Sequence, residues 1–540
     1  MSDPLQQLNA TVSAAAHAVG NGGAEIRLER PKHSGQGDYS TNAAMLLAPT
    51  LKLAPRVIAE RIGSELEGRL AGEITRVEVA GPGFLNVFLT DSWYRRALAA
   101  VAEAGDRLGA GGAERPERIL VEFISANPTG PLVAVSGRAG AFGDALARIL
   151  EHHGHHVTRE YYVNDAGNQI RLLGESVQAR ANGEEVPEGG YQGDYVRELA
   201  AEIPDAASAD PDDLARAAVD RLLARIKATV ERYGVHFDTF FSEHTLHEGS
   251  PNAVERGLAE LEQAGYTYRS DGALWLRTTN FGDDKDRVLL RSNGAPTYLA
   301  ADVAYVLNKR ERGFERYVTP VGSDHDMWAR TMKRVVQALG GDPETFEAPL
   351  IQFVHLVSGG EAARMSKRRG VIVTLDDLLD EIGVDATRFF MLQRSHDRTL
   401  DLDLDLASTQ SRENPVYYVQ YAHARIASML GRLDAGRIGE AADLEAWGTA
   451  ELHVSERELI KRLVDFPAEI REAAERRAPH RIAGYALALA QDFTTFYEQC
   501  RVVGADPAEV ESFRIAVSAA TQRVIALTLG LLGVSAPEAM

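Results

Sequence analysis

The sequence has only one cysteine, Cys500, among its 540 residues. A single thiol forms neither an internal disulfide nor a thiolate metal cluster, which excludes both a disulfide-rich scaffold and a cysteine-based metal protein. Phe493, Phe496, Tyr497 and Cys500 follow one another at helical spacing, and this pattern predicts that the thiol is buried on a helix. We therefore expect Cys500 to be a packing residue.

The sequence also lacks a long hydrophobic run and an excess of positive charge. No stretch of about 18 apolar residues predicts a membrane span, and the N-terminal MSDPLQQLNATV lacks the basic and apolar regions of a secretion signal. We therefore expect a cytoplasmic protein with no membrane partner. The formal net charge of −20 argues against bulk attraction to nucleic acid, although it is compatible with a local basic surface.

The most informative stretch predicts a strand, a loop, a helix and a second strand. The apolar run 119–123 and the β-branched and aromatic run 157–163 predict two buried strands. Between them, apolar residues at helical spacing predict a helix from about Ser136 to Gly154, and this connection makes the two strands parallel. The loop NPTGP before the helix contains neither GxGxxG nor GxxxxGK[ST], so neither a dinucleotide-binding fold nor a P-loop is supported.

Alternating strand and helix patterns continue to about residue 390. They include predicted strands at 317–321 and 350–357, and a long insertion helix at about 212–233. The predicted fold class is therefore α/β, with a doubly wound, Rossmann-like parallel sheet. An α+β region precedes it, and an all-helical region with recurring basic residues follows it. The predicted domains span residues 1–110, 111–400 and 401–540.

Five sequence blocks occur in order along the chain: VEFISANPTGPL, REYYVNDAGNQI, PTYLAADVAYVLNKRERGF, RMSKRRG and NPVYYVQYAHARI. In these blocks the chain resembles the class I aminoacyl-tRNA synthetases, and among them the arginyl-tRNA synthetases. The resemblance implies an N-terminal domain that contacts tRNA, a class I catalytic domain and a helical anticodon-binding domain. It also implies ATP-dependent activation of L-arginine and its transfer to tRNA(Arg), with ATP and Mg²⁺ as substrate, no prosthetic group and a monomeric chain.

Recognition of arginine requires carboxylates that face a guanidinium, because its planar donors pair best with bidentate acceptors. Tyr298 and Asp302 lie four residues apart in PTYLAAD, on one face of a helix. The resemblance implies that they surround the arginine side chain, and that Glu122, Ser125 and Asn127 bind its amino and carboxylate ends. An isolated aspartate on a helix is ordinarily a surface charge, but here both parts of the motif match the family's spacing.

Formation of an adenylate requires donors for the α-phosphate and a cation for the leaving pyrophosphate. RMSKRRG places cations on a glycine-flanked loop, for which a solvated basic turn is the alternative interpretation. The resemblance implies that Lys367 grips the phosphates beside Ser366 and Met365, while Arg364 replaces the family's first lysine. The implied ATP contacts are Asn127, Pro128, Gly137, Met365 and Lys367, and the implied catalytic residues are Lys367, Ser366 and Ser136.

The chain departs from the family in the tetrad at the start of the predicted helix. Where the family has His-x-Gly-His, this chain has Val133, Ala134, Val135 and Ser136. The valines cannot donate to phosphate oxygens, and Val135 adds a branched side chain where adenine would approach the backbone. Because one lost transition-state donor costs about 3 to 4 kcal/mol, two losses would slow adenylate formation by roughly four orders of magnitude if they add.

For tRNA, the resemblance places Phe84 and Asn86 at a base of the tRNA elbow. The plainer interpretation is that Phe84 is a core residue and Asn86 a turn former.

The histidine-rich segment HHGHH, residues 152–156, surrounds a predicted helix end. It has no cysteine or carboxylate partner at ligand spacing, and a protonated imidazole is favourable at a helix C-terminus without any metal. No metal site is expected.

The main functional hypothesis is an enzyme that activates arginine and transfers it to tRNA, because a phosphate-gripping lysine has little use without ATP. The alternative is a catalytically impaired paralogue that binds tRNA or arginine as a binding or regulatory protein, which the segment VAVS favours. A third hypothesis is another nucleotidyl-transfer enzyme on the same sheet.

Overall fold

The computed structural model describes residues 3–20, 26–31, 35–362 and 373–540. The N-terminal region consists of α1 Pro4–Val19, β1 Tyr39–Thr41, α2 Ala43–Leu51, α3 Pro55–Arg69, β2 Ile74–Ala80, β3 Phe84–Leu89 and α4 Asp91–Ala104. Its strands form an antiparallel sheet in the order β1-β3-β2. The helices bury apolar faces against this sheet, which makes the region a small α+β unit, as the sequence predicts.

The central region alternates strands and helices. Its elements are β4 Arg118–Glu122, α5 Ser136–His153, β5 His156–Val163, α6 Asn168–Ala181, α7 Asp194–Glu202, α8 Pro211–Arg232, β6 Thr239–Ser242, α9 Ala253–Gln263, β7 Thr267–Ser270, β8 Ala273–Leu276, β9 Arg287–Leu290, α10 Tyr298–Glu311, β10 Arg316–Val318, β11 Val321–Gly322, α11 Asp326–Ala338, β12 Phe346–Glu347, β13 Leu350–Ile351, β14 Val354–Ser358, β15 Glu361–Ala362, α12 Leu375–Ile382, α13 Val384–Leu392 and β16 Leu400–Asp403.

Five of these strands form a parallel sheet in the order β12-β10-β4-β5-β6. The chain moves outward from β4 in one direction to β5 and β6, and later in the other direction to β10 and β12. The point at which the strand order reverses therefore lies between β4 and β10. In open parallel sheets, this switch point is where ligands bind, outside the carboxyl ends of the strands.

The predicted unit around NPTGP is confirmed. β4 and β5 are parallel neighbours, with Ile119 opposite Val157, and α5 connects them. The helix ends at Gly154, whose φ of 114° is available to glycine and strained for other residues. The connection therefore folds as its apolar spacing and its terminal glycine dictate.

Two strand predictions need correction. The run 317–321 divides into β10, which joins the five-stranded sheet, and β11, which pairs with β13 instead. The run 350–357 divides into β13 and β14, and β14 pairs with β16. In the first run Pro320 supplies no amide to a ladder, and in both runs the chain changes sheet at the break.

The C-terminal region is helical throughout. Its elements are α14 Leu404–Ser408, α15 Pro415–Leu430, α16 Ala435–Ala441, α17 Val454–Glu475, α18 His480–Gln499 and α19 Ala508–Leu532. Contrary to the sequence-based expectation, α19 is long and apolar enough to cross a membrane, with a mean hydropathy of 1.6, but 67% of its apolar stretch is buried within the fold. It is thus a core helix of the helical region. Cys500, directly after α18, is also buried, as predicted.

Candidate active site

The turn that follows β4 is tight and strained. Ile124 and Ser125 have positive φ values of 65° and 42°, a conformation that side chains other than glycine rarely adopt. The Ser125 hydroxyl accepts a hydrogen bond from the amide of Tyr162 at 3.1 Å and donates to Glu122 at 3.4 Å. These hydrogen bonds hold Ser125 in its strained conformation and fix the polar groups of this strand end beside the switch point.

Glu122, the last residue of β4, is buried and already has a cation. The Lys309 ammonium, on α10, donates to its Oε2 at 2.7 Å, and Lys309 is itself only 3% exposed. A buried carboxylate requires such a partner, because desolvation of an unpaired charge is costly. The sequence-based assignment of Glu122 did not include Lys309, which lies far away in the sequence.

Asp302 lies on α10 one turn after Tyr298. Its Oδ2 accepts a hydrogen bond from the Trp328 indole at 3.1 Å. Burial, together with the negative charges of Glu122 and Glu243, nevertheless raises the pKa of Asp302 to about 7. Tyr298 is 66% exposed, so its ring stands at the rim while Asp302 lies inside.

Glu243 is a site residue that the sequence analysis misses. It follows β6 directly, is buried, and shares a hydrogen bond with the Tyr162 hydroxyl. Burial raises the pKa of Glu243, and Asp302 is among its charged neighbours. The signal that identifies Glu122, a carboxylate at the carboxyl end of a parallel strand, also applies to Glu243.

Together these groups form an acidic pocket of three carboxylates, Glu122, Glu243 and Asp302, with one ammonium, Lys309. Tyr162 and Tyr305, whose ring centroids lie 4.7 Å apart, supply aromatic faces beside it. Burial is the main cause of the raised pKa values of Asp302 and Glu243, and repulsion between the neighbouring carboxylates adds to it. A ligand cation that is flat and rich in donors would relieve this repulsion.

The segment from 133 to 136 lies at the N-terminus of α5 and is poor in free donors. The amide of Ala134 donates to the Val373 carbonyl at 2.9 Å, and the amides of Ser136 and Gly137 donate to carbonyls three residues back. Val135 is 49% exposed, so its apolar side chain faces outward from the helix start. Among the described residues, the Ser136 hydroxyl makes no hydrogen bond and is the one hydroxyl of the tetrad.

The other residues implied to contact ATP lie around this helix start. Pro128 is buried and Asn127 is exposed, with its side-chain amide donating to Gln169 at 2.7 Å. Gly137 is packed in the first turn of α5, where an added Cβ would lie 3.0 Å from the Leu375 side chain. Met365, Ser366 and Lys367 lie outside the described residues.

Phe84 and Asn86, the two residues implied to contact tRNA, are not the core residue and the turn former of the plainer interpretation. Phe84 is 41% exposed and is therefore not a core residue, and Asn86 lies inside strand β3, buried, rather than in a turn. The exposed ring of Phe84 leaves an aromatic face for a base.

A second aromatic surface occurs on α15. Tyr417 and Tyr421 are stacked with an interplanar angle of 8°, and the Arg425 guanidinium lies 4.7 Å from the centre of the Tyr421 ring. Stacked rings next to an arginine are typical of surfaces that bind single-stranded nucleic acid. In the sequence this segment is recognisable only as part of the block NPVYYVQYAHARI.

The histidine-rich segment 152–156 is used in structural contacts. The imidazole of His152 bonds to the Leu108 carbonyl at 2.8 Å, and His155 Nδ1 accepts from the Glu117 amide at 3.2 Å. Within residues 3–20, 26–31, 35–362 and 373–540, no group of three or more His, Cys, Asp or Glu side chains is arranged to hold a metal ion.

Comparison with known families places the sheet and its switch-point site among the class I aminoacyl-tRNA synthetases. Residues 102–193 and 206–407 match the model described as tRNA synthetases class I (R), catalytic domain. Residues 6–89 match the arginyl tRNA synthetase N terminal domain, and residues 419–540 match the DALR anticodon binding domain. The chain belongs to the arginyl-tRNA synthetase family.

Known proteins resemble the chain from end to end. It is 42% identical over 529 residues to the arginine–tRNA ligase of Shouchella clausii, covering 95% of this chain and 94% of that one. The corresponding enzyme of Frankia alni is 43% identical over 559 residues, covering 99% and 100%. The arginyl-tRNA synthetase structure from Thermus thermophilus superposes with a TM-score of 0.78 at 24% identity, over 99% of this chain and 100% of that one, which supports the fold.

Proposed function

We propose that the protein is an arginine–tRNA ligase, which activates L-arginine with ATP and transfers it to tRNA(Arg). The observation that carries the proposal is the acidic pocket of Asp302 and Glu243, located at the switch point of a chain that matches arginine–tRNA ligases over nearly its whole length. A planar guanidinium pairs best with carboxylates, and this pocket has an excess of them. Nothing in the comparisons supports the alternative of a catalytically impaired paralogue.

In this proposal arginine lies with its guanidinium at Asp302 and Glu243, and its backbone groups at Ser125 and Asn127. Its carboxylate attacks the α-phosphate of ATP, which forms arginyl adenylate and releases pyrophosphate. A hydroxyl at the 3′ end of tRNA then attacks the adenylate carbonyl and releases AMP. Pro128, Gly137 and Ser136 border the nucleotide, and Met365, Ser366 and Lys367 contact its phosphates.

ATP enters as its Mg²⁺ complex. Mg²⁺ keeps several waters and binds mainly through phosphate oxygens, so it would accompany ATP rather than occupy a site built from protein ligands. No prosthetic group is required.

We assign tRNA contacts to Phe84 and Asn86 in the domain of residues 1–110, and anticodon binding to residues 401–540. The catalytic domain then spans residues 111–400. We further propose that the chain acts in the cytoplasm as a monomer.

The test is arginine-dependent exchange of pyrophosphate into ATP in the presence of tRNA, followed by aminoacylation of tRNA(Arg). Citrulline, which replaces the guanidinium by a neutral group of similar shape, is the matched control substrate. Exchange and charging are expected with arginine and not with citrulline or lysine. Equal activity with citrulline would contradict the assignment of the pocket.

Binding of tRNA provides a separate test. The full chain should bind tRNA(Arg) more tightly than an unrelated RNA, with an affinity that falls as salt rises because phosphate contacts release counterions. If the chain shows no preference for tRNA at two salt concentrations, the proposed transfer step fails.

A further inference from the structure

The three helices inserted between β5 and β6 form a unit with its own hydrophobic core. Apolar side chains of α6, α7 and α8 pack together separately from the main core, including Leu173, Val196, Leu199, Leu214 and Leu222. The second half of α8 does not belong to this core, because Ile226 and Val230 pack in the main core. The insertion is therefore anchored to the rest of the protein through the end of α8, while α6, α7 and the start of α8 pack against one another.

The insertion contacts the loop NPTGP through Tyr195 on α7. The Tyr195 hydroxyl donates a hydrogen bond to the Thr129 carbonyl at 2.8 Å. Burial raises the pKa of Tyr195 to about 12, so the hydroxyl keeps its proton and remains a donor.

The packing around this ring depends on two glycines. A Cβ added to Gly130 would lie 3.3 Å from the Tyr195 hydroxyl, and a Cβ added to Gly193 would lie 2.5 Å from its ring. The tyrosine therefore occupies a space that only glycine leaves open on the insertion side, and it lies directly against the backbone of the loop.

The same insertion contacts two further pieces of the site. Gln169, on α6, accepts the hydrogen bond from the Asn127 side chain at 2.7 Å. At the other end, the Tyr233 hydroxyl, directly after α8, donates to the Gly137 carbonyl at 3.0 Å, inside the first turn of α5. Tyr233 belongs to the main core, so the contacts that the insertion core itself supplies to the substrate loop are those of Tyr195 and Gln169.

We propose that the helical insertion braces the substrate loop 127–130, and that Tyr195 is the positioning residue that latches the loop to it. The loop itself has little internal support, since its described backbone hydrogen bonds comprise a single short contact, from the Thr129 amide to the Asn127 carbonyl. The latch keeps Asn127 in one orientation, and small misplacements of a binding group lower reactivity. The choice of arginine as the affected substrate rests on the proposed function.

The experiment compares Tyr195→Phe with Tyr191→Phe. Tyr195→Phe removes one hydroxyl and leaves the ring, so the fold should survive. Tyr191 lies in the same insertion, and its hydroxyl bonds to no residue that the structure describes, which makes it the matched control. Hydrogen–deuterium exchange of residues 126–132 should accelerate in Tyr195→Phe by about two- to tenfold, the range expected for one neutral hydrogen bond, and stay unchanged in Tyr191→Phe.

Kinetics supply the second readout. In Tyr195→Phe, KM for arginine should rise by about two- to tenfold, while KM for tRNA and the melting temperature stay close to wild type. If hydrogen–deuterium exchange of residues 126–132 is unchanged in Tyr195→Phe, or if Tyr191→Phe has an equal effect, the proposal that Tyr195 positions the loop is wrong. If exchange accelerates but the wild-type chain shows no arginine-dependent reaction, the proposed function fails and the latch stands.

Discussion

The proposed arginine end and the proposed ATP end of the candidate active site differ in how their polar groups are supplied. At the arginine end, β4, the turn after β6, α10 and α11 each contribute a side chain, and Glu122, Glu243, Asp302 and Trp328 meet from distant parts of the sequence. At the ATP end, one continuous segment, Val133 to Ser136, begins a helix whose first amides are used internally.

This difference indicates which end of the candidate site tolerates amino-acid substitutions. Glu122 and Glu243 are buried and Asp302 is partly buried, and replacement of Glu122 would leave Lys309 uncompensated in the interior. The tetrad end is one continuous segment in which Val135 faces outward, so a substitution at Val135 alters chemistry without disturbing the core, whereas Ala134 is buried. A family fold is therefore compatible with a changed tetrad, while a changed acidic pocket would affect stability as well as binding.

The largest expected effect comes from giving the ATP end the donors that it lacks. Val133→His, Val135→Gly and Ser136→His together should increase pyrophosphate exchange by roughly four orders of magnitude if the two donors act independently. The increase in the exchange rate will be smaller if the present contacts hold the segment in place. These contacts are the bridge between Val133 and Thr374 and the burial of Ala134. Stopped-flow or exchange assays measure the rate.

Val135→Gly alone is the control for this variant, because it restores the backbone space without a donor. A wild-type rate of about 1 to 100 turnovers per second would show that the histidines are dispensable in this chain and would remove the contrast between the two ends.

The second effect is the loss of the arginine carboxylate. Asp302→Ala should weaken arginine binding by about 30- to 5000-fold, since removing one partner of a desolvated charge pair costs about 2 to 5 kcal/mol. Isothermal titration calorimetry measures it. Asp324→Ala, at a side chain that is 72% exposed, serves as the control, and unchanged affinity in Asp302→Ala would remove the arginine pocket.

The third effect tests the residue found only in the structure. Glu243→Gln keeps the shape but removes one charge, and arginine affinity should fall by about ten- to a hundredfold, the range of one charge-assisted hydrogen bond. The control is Glu248→Gln on the same turn, where the side chain is 63% exposed. If Glu243→Gln binds arginine as tightly as the wild type, Glu243 does not belong to the arginine-binding pocket.

The smallest effect is a pH dependence of arginine binding. The pKa of Asp302 is about 7 without ligand, and a bound guanidinium favours the ionised carboxylate, so binding releases a proton below that pH. Affinity should therefore rise roughly tenfold between about pH 6 and about pH 8 and then level off. Calorimetry in buffers of different ionisation enthalpy detects the proton.

Asp302→Asn should flatten this profile, and an unchanged slope in that variant would assign the titration to another group.

The stability of the folded state without arginine changes with pH in the opposite direction to the arginine affinity. Without arginine, the folded state holds this proton more tightly than the unfolded chain, so the group lowers stability as pH rises from the ordinary value of 3.8 towards 7.

Much of the fold was predictable because its signals are local. The spacing of apolar residues and the glycine at 154 specify α5, and the apolar run and the β-branched and aromatic run on either side specify β4 and β5. The divisions of 317–321 and 350–357 were not predictable from these patterns. Both halves of each run are apolar, and only the choice of neighbouring strand separates them.

The candidate site was predictable where its residues share one short element, as Tyr298 and Asp302 do on α10. It was not predictable where a partner comes from elsewhere. Lys309 and Trp328 carry no mark in the sequence that relates them to Glu122 or Asp302, and their roles depend on how α10 and α11 pack above the sheet.

The sequence by itself determined the order of elements, the chemistry available at each strand end and the absence of histidine donors at 133 and 136. The reason is that helical and strand periodicity, turn residues and side-chain types are properties of neighbouring residues. Only the tertiary structure decided which charges are paired, which carboxylates hold raised pKa values and which insertion residue touches the substrate loop. These depend on burial and on distances between segments far apart in sequence, and they exist only once the sheet and its helices have packed.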